Sequence, residues 1–137
     1  MAQSAIVNIK DDRPRHSMAV VRIDWTADAG GAFDQILDCP MFGSITHIYT
    51  KPGSTAPTDA SDVTLKDDSG TGADVLAAQG TDILSATLVV TKPMMTEATV
   101  GSNKYGVNPS IATMRPRLTI SNNAVANATG TIWIYLR

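Results

Sequence analysis

The stretch that most restricts the fold is the last twenty-one residues, Arg117 to Arg137. Leu118 and Ile120 alternate with Arg117, Thr119 and Ser121. After a polar link, Ile132, Ile134 and Leu136 alternate with Thr131, Trp133 and Tyr135. A period of two puts successive side chains on opposite faces, so each segment predicts a β-strand with its aliphatic face buried. The Asn- and Gly-containing link predicts that the two strands form a hairpin. Trp133 and Tyr135 then share the face opposite the aliphatic one.

Similar patterns recur upstream. Residues 5–10 are a short apolar run, suited to an edge or arm strand. Residues 17–26 place Val21, Ile23 and Trp25 on one face and Arg22, Asp24 and Thr26 on the other. Asp28 to Gly31 predicts a turn, and residues 32–37 a third strand. Residues 43–51 read as Ile45, His47 and Tyr49 on one face against Thr46, Ile48 and Thr50. Large groups on both faces suit a strand central in its sheet. Residues 51–61 hold two prolines and a glycine and predict a loop. Residues 62–67 predict a strand with Val63 and Leu65 inward, and residues 68–72 a turn. Residues 74–79 suit one helical turn stopped at Gly80. Residues 82–92 form a strand centred on Leu88 to Val90. Residues 96–116, with Gly101, Gly106, Pro109 and Pro116, are the least regular part, and long irregular segments are often functional. About eight short strands without crossover helices predict an all-β, single-domain, jelly-roll-like antiparallel sandwich. Residues 1–16 are a candidate N-terminal arm.

Composition agrees with a packed domain. The chain has 137 residues, 43% hydrophobic and 18% charged, enough to bury a core without staples. A net charge of -2 gives no electrostatic case for nucleic-acid binding. The basic residues Lys10, Arg13 and Arg15 are interleaved with Asp11 and Asp12, as in a solvated loop or arm. Cys39 has no second cysteine to pair with. The first residues lack a signal-peptide pattern, and no apolar run reaches the roughly 20 residues of a membrane span. The expectation is a soluble protein made in a reducing cytosol, with no membrane partner.

Catalytic chemistry finds little support. Hydrolysis needs a nucleophile, a base and an orienting group. His16 sits in the charged stretch and His47 within a strand, neither in a metal or hydrolase motif. Asp67 to Asp74 is rich in Asp and Gly, but calcium needs six to eight oxygens, and no glutamate closes the loop. No metal and no cofactor is expected. Trp133 and Tyr135 instead suit protein contact, since Trp and Tyr are enriched at binding hot spots.

Four segments carry a resemblance: Lys51 to Asp67, containing Pro57-Thr-Asp-Ala-Ser-Asp-Val-Thr-Leu; Gly72-Ala-Asp-Val-Leu-Ala77; Leu118-Thr-Ile-Ser-Asn122; and Ala128-Thr-Gly-Thr-Ile-Trp-Ile-Tyr-Leu-Arg137. Together they resemble small virion proteins of tailed bacteriophages, over roughly the last ninety residues of the chain. The chain departs from that pattern at Ser61, where an aromatic is frequent. A chain of this size and class is similar to capsid cement or decoration proteins. The resemblance implies a non-enzymatic protein on the capsid exterior, binding the major capsid protein and itself as a homodimer or homotrimer. Candidate contact residues are Trp133, Tyr135, Arg13, Arg15, Tyr105 and Arg115. The alternative is a tail, fibre or baseplate module recognising a host glycan. A hydrolase is a third reading, requiring His47 beside a carboxylate in an open cleft.

Overall fold

The structure is a computed structural model that describes residues 2–10, 19–67, 74–76, 80–85, 87, 89–91, 95–100 and 103–137. Of these, residues 10, 89–91, 95–100 and 103–107 are described by their backbone. Among the described residues there are eleven strands and no helix. They are β1 (Ser4–Lys10), β2 (Ala19–Thr26), β3 (Phe33–Ile36), β4 (Met41–Pro52), β5 (Asp62–Lys66) and β6 (Val89–Thr91), followed by β7 (Met95–Val100), β8 (Asn103–Val107), β9 (Ser110–Thr113), β10 (Arg117–Ser121) and β11 (Thr129–Leu136).

The larger sheet has the order β1-β2-β11-β4-β6, with β9 pairing on β4. The smaller runs β3-β10-β5. All pairings are antiparallel. From β2 to β5 the chain changes sheet at every connection, and it does so again from β10 to β11. Single bridges from Leu84 to Ser61 and from Asp74 to Lys66 lay the following segment beside β5. That alternation is the winding of a jelly roll, as expected.

Each sheet turns its aliphatic face inward. Val21, Ile23 and Trp25 of β2 and Ile132, Ile134 and Leu136 of β11 are at most 2% exposed. They form one core cluster with Phe33, Val63, Leu65, Leu118 and Ile120 of the smaller sheet. Trp25 meets Phe33 edge-on across the layers, with ring centroids 6.1 Å apart. Gly130 is needed beside that indole: a Cβ there would lie 2.9 Å from the Trp25 ring and 3.0 Å from the Lys51 carbonyl oxygen.

The expected C-terminal hairpin is not formed. β10 pairs with β3 and β5, whereas β11 pairs with β2 and β4 in the opposite sheet. The link is therefore a crossover between layers. Residues Asn122 and Asn127 adopt positive φ of 59° and 53°, which asparagine tolerates better than most residues. The Asn123 amide pins the crossover, donating to the Gly31 carbonyl at 2.8 Å and accepting from the Thr58 N–H at 2.9 Å. Alternation reported which face is buried, but not which strand lies alongside.

Four further expectations are corrected. Residues 96–116 are largely regular: β7 and β8 pair with each other, and β9 pairs with β4. On β4, Ile45 does not share a face with His47 and Tyr49. Tyr135 pairs with His47 while Leu136 pairs with Ile45, so a bulge at Thr46 shifts the alternation. Ile45, Ile48 and Thr50 consequently point inward. Of the strand foreseen over residues 82–92, residues 89–91 form β6, Asp82 lies in a turn and Leu84 in an isolated bridge, and residues 86, 88 and 92 lie outside the described residues. The helical turn foreseen over residues 74–79 starts instead in a bridge at Asp74 and a turn at Val75 and Leu76, and residues 77–79 lie outside the described residues. The turn foreseen at residues 68–72 lies there too. Of the candidate arm, residues 4–10 are the edge strand β1, paired residue by residue with β2, and residues 11–16 lie outside the described residues.

Candidate functional site

Residues paired across an antiparallel ladder stand on the same face of the sheet. Tracing the register across the larger sheet therefore shows what its outward face carries. One row runs Asn8, Arg22, Trp133, Tyr49. The next runs Val20, Tyr135, His47, and the row on the other side runs Ile6, Asp24, Thr131, Lys51. Four rings from two adjacent strands thus share the centre of this face, all half-buried.

Three of the rings pack on one another. Tyr49 and Tyr135 meet edge-to-face at 5.1 Å and 84°. His47 stacks along Tyr49 at 6.3 Å and meets Tyr135 edge-on at the same distance. The Arg22 guanidinium lies 5.6 Å from the Trp133 ring centroid, within cation–π range. The same guanidinium reaches one Asp24 carboxylate oxygen at 3.2 Å, and the Thr131 hydroxyl donates to that oxygen at 2.6 Å. Arg22, Trp133, Tyr135, Val20 and Asn8 line a shallow depression of about 500 Å³. Such a surface has apolar ring edges for burial and oriented polar groups at its margin, the composition of a protein-contact hot spot.

Of the sequence candidates, Trp133 and Tyr135 lie together here. Arg115 does not. It is exposed just beyond β9, beside Met114 and close to the pair of Phe42 with Ala112. Phe42 precedes Tyr49 by seven positions on β4, roughly 20 Å along a strand. Tyr105 lies in β8, described by its backbone, and Arg13 and Arg15 lie outside the described residues. Sequence reasoning missed Arg22, His47 and Tyr49 as members. The outward placement of Arg22 was readable, the bulge at Thr46 hid that of His47 and Tyr49, and the meeting of all three with β11 depends on strands distant in the chain.

Other chemistry is sparse. Among the described residues no group of three or more His, Cys, Asp and Glu side chains is placed to hold a metal. Asp74 uses one carboxylate oxygen to accept from the backbone N–H groups of Leu65 and Leu76, at 3.2 and 3.1 Å. Burial first, and the Asp38 charge second, push the Cys39 thiol up to about 11, so it stays protonated at neutral pH. No helix among the described residues is long and apolar enough to cross a membrane.

No family model matches this chain, and neither a curated protein nor a solved structure does.

Proposed function

We propose that this chain is a non-enzymatic virion protein that docks on the outer capsid lattice of a tailed bacteriophage through the outward face of its larger sheet. The observation that carries the docking role is the cluster of His47, Tyr49, Trp133 and Tyr135 with Arg22 on that face. The choice of a capsid as partner comes from the resemblance of residues 51–67 and 128–137 to phage virion proteins. The jelly roll is compatible with that role without implying it, since one fold hosts many functions.

Docking of this kind stabilises an assembled shell by mass action. A protein that binds only assembled subunits lowers the free energy of the shell by its binding term at every site. The partners are the major capsid protein and a second copy of the chain; the protein is made in the host cytoplasm and ends on the capsid exterior.

One observation favours the glycan alternative: the Asn8 amide and the Asp24 carboxylate flank the aromatic face, where they could bond sugar hydroxyls. Ring geometry weighs against it. Sugar stacking uses open, coplanar ring faces, but Tyr49 and Tyr135 stand nearly perpendicular and Arg22 lies over Trp133.

The test is co-sedimentation of purified protein with expanded heads that lack it. Binding should saturate at a fixed ratio to capsid subunits, with none to free subunits, and decorated heads should resist heat better than bare ones. Binding to tails or host polysaccharide, with none to heads, would refute the capsid role.

A further inference from the structure

We infer that β1 is a self-pairing edge: two copies join by antiparallel pairing of their β1 strands about a two-fold axis through Ile6, making their larger sheets continuous. This deepens the self-association in the reading above by specifying a dimer and its seam.

β1 is the last strand of the larger sheet, with β2 on one side and, among the described residues, no strand on the other. Its free edge presents unpaired N–H and C=O groups, the usual template for strand addition. Residues 4–9 contain neither proline nor charge, two of the devices that normally blunt such an edge, and the one charged residue of the strand, Lys10, is its last. Ile6 is 66% exposed, the highest value among the exposed large hydrophobic side chains, and Ile9 is 40% exposed. At the start of the strand Gln3 is occupied, accepting from the Asp34 N–H at 2.6 Å and, through its carbonyl, from the Gln35 amide at 3.0 Å. Pairing can therefore begin at Ser4, and an axis on Ile6 then limits the paired stretch to residues 4–8.

The occupant follows from the register. A two-fold axis perpendicular to the sheet keeps outward faces outward, so residues of like parity must oppose. Centring the axis on Ile6 sets Ile6 against Ile6 and Ser4 against Asn8 on the outward face, and Ala5 against Val7 on the inward face. Every pair is matched in polarity, and Lys10 falls outside the paired stretch. Centring on Val7 would oppose Ile6 to Asn8, and centring on Ala5 would oppose Ser4 to Ile6; both set an aliphatic group against a polar one. The strand is complementary to itself, which is what an isologous contact requires. Asn8 also borders the depression that contains Arg22 and Trp133. The seam therefore brings the aromatic faces of both copies onto one surface, suited to a partner that is itself two-fold symmetric.

The test is sedimentation equilibrium on the full chain without capsids, so its outcome is separate from head binding. The wild type should be a dimer that dissociates on dilution. Ile6→Lys and Ile6→Asp should each be monomeric, because like charges then face each other across the axis, and their equimolar mixture should recover the dimer. Both variants should keep the wild-type circular dichroism, since position 6 points to solvent. Amide exchange in residues 4–8 should slow as wild-type concentration rises. A wild type monomeric up to about 1 mM, a trimer, a dimer that survives Ile6→Lys, or a mixture that stays monomeric would each overturn the inference.

Discussion

The two sheets bury equivalent inward faces but turn different surfaces to water. Outside the larger sheet, Tyr49, Tyr135, His47 and Trp133 share a face with Arg22. Outside the smaller, Thr119 stands between Asp34 and Thr64, and Arg117 between Ile36 and Lys66. Arg117 holds both Asp34 oxygens, at 2.6 and 2.5 Å, and Thr119 donates to the first of them at 3.0 Å. A partner landing there would have to strip water from an ion pair already satisfied, and desolvation of that kind can exceed the attraction gained. A partner landing on the aromatic face removes carbon surface from water, at about 25 cal/mol per Å². Each face carries one Arg–Asp pair joined by a threonine, so the difference lies in the half-buried rings, and the face that has them is the better docking surface.

The largest effect should come from removing what both faces share. β11 lies between β2 and β4, and Ile132, Ile134 and Leu136 are 0–1% exposed. Burial of each contributes about 1.5–3 kcal/mol, and together they rival the 5–15 kcal/mol typical of a whole domain. Deleting residues 131–137 should abolish cooperative unfolding. A truncated chain that melts cooperatively and stays monodisperse would show that the larger sheet closes without this strand.

Next in size is the contrast between faces in binding. Trp133→Ala or Tyr135→Ala should weaken head binding by about 2 kcal/mol or more, roughly thirtyfold, as for a hot spot. Arg117→Ala on the other sheet should leave it unchanged. Equal losses from both faces would erase the distinction, and so would a loss confined to Arg117→Ala.

How far this contrast was legible in the sequence depends on the range of the interactions. The inward residues of β2, β5 and β11 followed from period two, and so did the outward placement of Trp133 and Tyr135. Strand partners did not. Residues 117–121 and 129–136 carry the same alternation whether they pair together or lie in opposite layers, and the Asn123 contacts to Gly31 and Thr58 that hold the crossover join positions that are 92 and 65 residues apart. The Thr46 bulge was hidden because an inserted residue looks locally like continued alternation. β7 and β8, rich in Thr, Lys, Asn and Gly, gave no apolar period to read.

A smaller effect tests whether the rings act as a unit. Tyr49 and Tyr135, 5.1 Å apart and edge-to-face, should show a coupling of about 0.5–1.5 kcal/mol in a double-mutant cycle of thermal stability. Strict additivity of Tyr49→Phe, Leu or Ala with changes at Tyr135 would mean that the rings are neighbours without mutual stabilisation.

The smallest effect belongs to the polar face and has a definite sign. The hydrogen bond from Arg117 is the main influence on the Asp34 carboxyl and holds it below its ordinary value of 3.8, with Thr119 and the Lys66 charge acting in the same direction. A carboxyl depressed in the folded state stabilises the fold above its unfolded value, and that contribution disappears as pH falls through the folded value. The side chains of Asp34 and Arg117 are 40% and 35% exposed, so solvent and salt screen the pair. At neutral pH, Arg117→Ala should therefore lower the melting temperature only slightly, and less in high salt. Below the ordinary carboxyl value the difference should close. No advantage of Arg117 then remains, because it faces Lys66 across the ladder without its counter-charge. Melting both proteins from neutral to strongly acidic pH measures this directly. A gap that widens on acidification would contradict the assignment of Arg117 as the partner of an ionised Asp34.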